Sequence, residues 1–170
     1  MTGPAEAYAL DARELISDFQ PDVVVSNELL LGVAVAAEAT GTPLAFLSAN
    51  VWSLPTRADT PPFGPGFAPA RTSFEQRREQ SARGMIAGFY DVGLADLNRA
   101  RAALDLPPLA HVMDQIDAAR MIVLATSAAF DFGDTPPPEP FVYCGPLLDR
   151  PAWVEDVSIE HLLSETDPNV

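Results

Sequence analysis

The stretch DVVVSNELLLGVAVAAEATGTPLAFLS, residues 22–48, decides the fold. It opens on DVVVS, a β-branched run without polar alternation, the signature of a strand covered on both faces in a parallel sheet. It continues into ELLLGVAVAAEATG, residues 28–41, which is apolar nearly all round and so reads as a well-buried helix. Gly41 stands where a left-handed helix cap is wanted, and Pro43 follows it. PLAFLS, residues 43–48, is a second buried strand. Strand, helix and strand within about 30 residues make a βαβ crossover, for which a right-handed connection is the rule.

The pattern extends in both directions. Upstream, residues 5–18 have helical spacing, with a stripe of Tyr8, Ala12, Leu15 and Ile16, and Pro21 ends the helix. Downstream, residues 49–72 hold Pro55, Pro61, Pro62, Pro65, Pro69, Gly64 and Gly66 and cannot form a regular element. A loop of that length inside a compact domain is usually functional, and this one carries Trp52, Phe63 and Phe67. Helical periodicity returns from Phe74 to Leu104 along Ile86, Tyr90, Leu94, Leu97 and Leu104, with Met85, Phe89 and Val92 beside that stripe. Gly84, Gly88 and Gly93 predict a bend or break in it. A short helix at 111–117, strands at 121–126 and 141–145, and a short helix at Ile159–Leu163 complete the reading. The expected class is α/β, a parallel sheet with flanking helices.

Composition narrows the function. The 170 residues are 48% hydrophobic with a mean hydropathy of +0.08, enough for one domain with a core and unlike a disordered chain. Net charge is −14, and all ten basic residues are Arg. Such a chain is repelled by phosphate backbones and anionic bilayers, so nucleic acid and membranes are excluded as partners. No apolar run is long enough to span a bilayer, no signal peptide is evident, and the only cysteine is Cys144, so a cytoplasmic setting is expected.

Motif chemistry is sparse. There is no P-loop, no GxGxxG after a strand and no GxSxG. His111 reads as a structural residue at a helix start, His161 as exposed, and Cys144 as a buried, inert thiol in a strand. Asp131 and Asp134 flank Gly133 without a third metal ligand. Two features stand out. SNE, residues 26–28, lies where a parallel strand meets a helix, the end at which α/β sheets hold ligands. There Ser26 or Asn27 either caps the helix or faces a ligand. SANVW, residues 48–52, starts the aromatic loop at the same end and predicts a pocket for an apolar or planar ligand.

DVVVSNELLLGVAVAAEATGTPLAFLSANVW, PPFGPGF, RAALDLPPLAHVMDQ, VLATSAAFDF and FVYCGPLLDRPAW together resemble bacterial nucleotide-sugar-dependent glycosyltransferases of the GT-B type. The resemblance is to the UDP-glycosyltransferase-like enzymes that decorate natural products and antibiotics, and runs over residues 5–170. It implies a partial N-terminal, acceptor-binding, Rossmann-like domain at 1–146, and an interdomain linker at 147–170 that begins the nucleotide-sugar domain. In the whole protein it implies a nucleotide sugar as co-substrate, no metal, and attack on the sugar by an acceptor hydroxyl that a histidine deprotonates. That histidine and the diphosphate-gripping motif have no counterpart in this chain, which is therefore expected to be inactive alone. Asn27 holds the position at which many of those enzymes place an Asp that orients the histidine; Glu28 beside it is the alternative. Asn50, Trp52, Phe63, Phe67, Met85 and Phe89 are the implied acceptor-binding residues, for a small hydrophobic acceptor. A different reading is a non-catalytic binding or auxiliary module of the same fold. In the resembled fold DVVVS has a neighbouring strand that this chain lacks, so its edge is expected to be open to self-association or to complementation by another polypeptide.

Overall fold

In a computed structural model, residues 1–133 and 136–147 are described. The linker reading of 147–170, the helix at Ile159–Leu163, His161 and Asp134 lie outside the described residues, Leu147 excepted. The order is α1 (Ala5–Phe19), β1 (Val24–Ser26), α2 (Leu31–Thr40), β2 (Leu44–Ser48), α3 (Ser73–Tyr90), α4 (Leu94–Ala103), β3 (Ala119–Leu124) and β4 (Phe141–Tyr143). The four strands pair in parallel in the order β1-β2-β3-β4. This is a Rossmann-like α/β arrangement with flanking helices, as the 22–48 stretch predicts.

Local sequence explains most boundaries. Gly41, at φ 68°, closes α2 in the left-handed conformation as expected. Thr72 opens α3 through a capping box: the Glu75 amide donates to Thr72 Oγ1 at 3.3 Å, and the Thr72 amide donates to Glu75 Oε2 at 2.9 Å. The break expected among three glycines falls at Asp91–Gly93, a turn of 3₁₀ helix between α3 and α4. The helix expected at 111–117 is also 3₁₀, at Val112–Ala118, with His111 at its start.

Helix α2 is buried nearly all round. Its backbone meets that of α1 at Gly32, where an added Cβ would strike the Ala5 carbonyl and lie 2.8 Å from the Tyr8 Cβ. That crossing corrects the α1 stripe: Ala5, Ala9 and Ile16 are buried, whereas Tyr8 and Leu15 are exposed. Close approach of two backbones selects small side chains over large ones. An ion network around the buried Arg101 locks α4 to α2. Arg101 Nη1 and Nη2 donate to Glu38 Oε2 and Oε1 at 2.6 and 2.9 Å, and Nη1 also donates to Gln115 Oε1 at 2.7 Å.

The sheet is covered on one face. Leu44, Phe46, Ile122, Leu124 and Phe141 face the core. Register puts Val25, Ala45, Met121, Val123 and Val142 on the other face, where Val25 is 62% exposed. The expectation that DVVVS is covered on both faces is therefore corrected: among the described residues no helix overlies that side of β1, and β1 pairs with β2 alone. Cys144 is likewise corrected from buried to exposed, because β4 ends at Tyr143 and the chain leaves the sheet there. No helix among the described residues is long and apolar enough to cross a membrane.

Candidate functional site

All four strands run in one direction, so Ser26, Ser48, Leu124 and Tyr143 end at the same edge of the sheet. The loops that leave them, including 49–72 and the start of the loop after β3, gather there. Two cavities open at this edge.

The first, of about 660 Å³, lies on the uncovered face and is lined by Val25, Ser26, Asn27, Leu47, Ala125 and Pro146, among others. Asn27 is exposed, and its Oδ1 accepts the Leu29 amide at 2.9 Å, a turn that leads the chain into α2. Glu28 points the other way. It is 6% exposed, and its Oε1 accepts a hydrogen bond from Ser48 Oγ at 2.9 Å across the ends of β1 and β2. Glu28 Oε2 is buried and has no hydrogen-bond partner among the described residues. A buried carboxylate oxygen without a partner is costly unless a donor reaches it.

The second cavity, of about 390 Å³, sits between the 49–72 loop and the loop after β3. Trp52, Phe63, Phe67, Phe130 and Phe132 contribute aromatic walls, and Val51, Thr60, Asp131 and the loop's prolines and glycines the rest. Trp52 is buried, edge-on to Phe141 with ring centroids 5.3 Å apart, and its Nε1 donates to Thr56 Oγ1 at 2.8 Å. Phe67 carries the Arg78 guanidinium 4.0 Å from its ring centroid.

One cation organises that cavity. Arg57 is buried beneath the Phe141 ring, 5.0 Å from its centroid. It makes a two-pronged ion pair with Asp59 and donates from Nη1 to Asp131 Oδ2 at 2.9 Å and to the Tyr143 hydroxyl at 3.3 Å. The Tyr143 hydroxyl donates to the same Asp131 oxygen at 2.7 Å. Burial opposes the charge on Arg57, but the bonds to Asp59 and Tyr143 outweigh it and raise its pKa, so it stays protonated. Burial and the Asp131 bond together raise the pKa of Tyr143, against the pull of Arg57. Arg83 on α3 then donates to the carbonyls of Arg57, at 2.8 Å, and of Thr60, pinning the proline loop to the helix. Gly133 closes over the network; a Cβ there would strike Arg57 Nη2 and lie 2.6 Å from Asp59 Oδ2.

Of the residues singled out from sequence, Trp52, Phe63 and Phe67 share the aromatic cavity, and Asn27 lines the other. Asn50 is exposed and lines neither cavity. Met85 and Phe89 are 71% and 76% exposed on α3, also outside both. Sequence reading passed over Arg57, Phe130, Phe132 and Tyr143, and weighed Asp131 only as a metal ligand. The signal was present in Phe130-Asp131-Phe132, two aromatics flanking a carboxylate just beyond a strand at the ligand-binding end.

The chain is 27% identical over 162 residues to 4'-demethylrebeccamycin synthase from Lentzea aerocolonigenes, a match that covers 88% of this chain and 38% of that protein. It thus spans little more than a third of that relative's length. No protein-family model matches the chain. The match supports a glycosyltransferase relationship.

Proposed function

We propose that these residues form the acceptor-binding side of a GT-B glycosyltransferase. The whole protein would transfer a sugar from a nucleotide sugar to a small, largely apolar natural product, and this chain alone would be inactive. The observation that carries the reading is the aromatic cavity of about 390 Å³ at the carboxyl ends of a parallel sheet, in a chain with a synthase relative. Its walls suit a flat, apolar body. The net charge of −14 opposes a nucleotide diphosphate.

Within that reading two groups compete to orient the base that deprotonates the acceptor. Asn27 occupies the sequence position, but its Oδ1 is engaged by the Leu29 amide. Glu28 supplies a carboxylate with one oxygen free of partners among the described residues. A carboxylate stabilises an imidazolium where an amide does not, which favours Glu28. The engagement of Asn27 also supports a second reading, a non-catalytic binding module of the same fold.

Calorimetry on the purified chain tests the proposal. Planar aromatic acceptors should give saturable heats and nucleotide sugars flat traces. A micromolar isotherm with a nucleotide sugar, or sugar transfer by the pure chain, would overturn it.

A further inference from the structure

We propose that the aromatic cavity selects planar ligands that present an O–H or N–H donor, and that Asp131 is the group that reads this donor. The inference rests on the cavity's being the acceptor site and goes beyond it by naming the acceptor's chemistry.

Asp131 lines the cavity with a side chain only 7% exposed, as its one acidic group. A carboxylate has about four acceptor positions. Oδ2 uses two, for Arg57 Nη1 at 2.9 Å and the Tyr143 hydroxyl at 2.7 Å. Oδ1 accepts the Phe132 amide at 2.8 Å, which among the described residues leaves one position on that oxygen. The carboxylate cannot swing away from a poorly matched ligand, because Arg57 is itself held by Asp59 and stacked on Phe141. An acceptor fixed in advance favours a donor strongly, since little freedom is lost on pairing. A ligand of equal shape with no donor would strip water from Oδ1 and return nothing.

The test uses a matched pair of flat probes, 7-hydroxycoumarin and 7-methoxycoumarin, titrated into the 170-residue chain by calorimetry at a pH where the phenol is protonated. The hydroxyl compound should bind about tenfold tighter or more, the ordinary worth of a hydrogen bond to a charged acceptor. Equal affinities would overturn the role of Asp131 and leave the cavity as an acceptor site. No binding by either probe would overturn both. Phe63→Ala should weaken both probes alike and keep their ratio. Asp131→Asn, checked for folding by circular dichroism, should bring the ratio close to one; a folded Asp131→Asn chain that keeps a tenfold preference would sink the proposal. The wild-type comparison stands even where that variant does not fold.

Discussion

Ser48 Oγ donates to Glu28 Oε1 at 2.9 Å, a bond that joins the ends of β1 and β2 and leaves the second Glu28 oxygen buried without a partner among the described residues. A carboxylate in that position is an expense to the fold, and none of its neighbours among the described residues compensates it.

Glu28→Gln keeps an acceptor for Ser48 and removes the buried charge. The isolated chain should gain stability, on the order of 1 kcal/mol in urea denaturation. In the whole protein the same change should lower kcat and flatten its pH profile, the mark of a group that holds a base. A destabilised chain with unaltered kcat would show that Glu28 serves packing alone.

Asn27→Asp separates cap from dyad. Aspartate caps as well as asparagine, so the stability of the chain should move by less than about 0.5 kcal/mol. If Asn27 orients the base, the whole protein should turn over faster, by up to orders of magnitude. An unchanged rate would assign the residue to the turn before α2.

Arg57→Met should be the most damaging single change at the aromatic cavity. It leaves Asp59 and Asp131 buried without the cation between them, a loss of about 3–5 kcal/mol. Gly133→Ala should cost about 1–3 kcal/mol through the collision with Arg57 and Asp59. The two effects should fall short of additive in the double variant, since both act on one network. Additive losses in chemical denaturation would show that Gly133 acts elsewhere.

His111 makes a pH-sensitive contact. Its Nδ1 lies 2.7 Å from Asp91 Oδ2; the hydrogen bond and the charge of Asp91 raise the histidine pKa, and the hydrogen bonds from His111 and the Val112 amide lower that of Asp91. A histidine raised in the folded state favours folding below its unfolded pKa, and that benefit disappears as pH rises through the raised value. NMR titration of His111 should place its midpoint above the ordinary histidine value, and Asp91→Asn should lower it toward that value. A normal midpoint in the wild-type chain would mean that the pair is not formed in solution.

How much of this was legible follows from the distance over which each feature is written. The βαβ order lies in one contiguous stretch, and apolar periodicity with Gly41 and Pro43 displays it. The break before α4 shows in its glycines. Trp52, Phe63 and Phe67 were legible as cavity residues because prolines and aromatics share one loop. The network behind them was not, because Arg57 meets Asp131 and Tyr143 across 74 and 86 residues. Nor does periodicity say which face of a helix meets another helix, which is why Tyr8 and Leu15 read as core and lie outside it. Val25 reads as buried from its β-branched run, yet burial depends on what packs above the sheet.

The reach of Arg57 makes the aromatic cavity a property of the assembled fold, because its supporting contacts join residues 74 and 86 positions apart. Its walls come from residues 51–67 and 130–132, which only the folded chain brings together, so the unfolded chain has no assembled cavity for an occupant to hold. A molecule that binds there binds the native state alone, and each tenfold excess over its Kd adds about 1.4 kcal/mol to the stability of the whole domain. Such a molecule would be a chaperone in the thermodynamic sense: where it accumulates, more of the chain is folded.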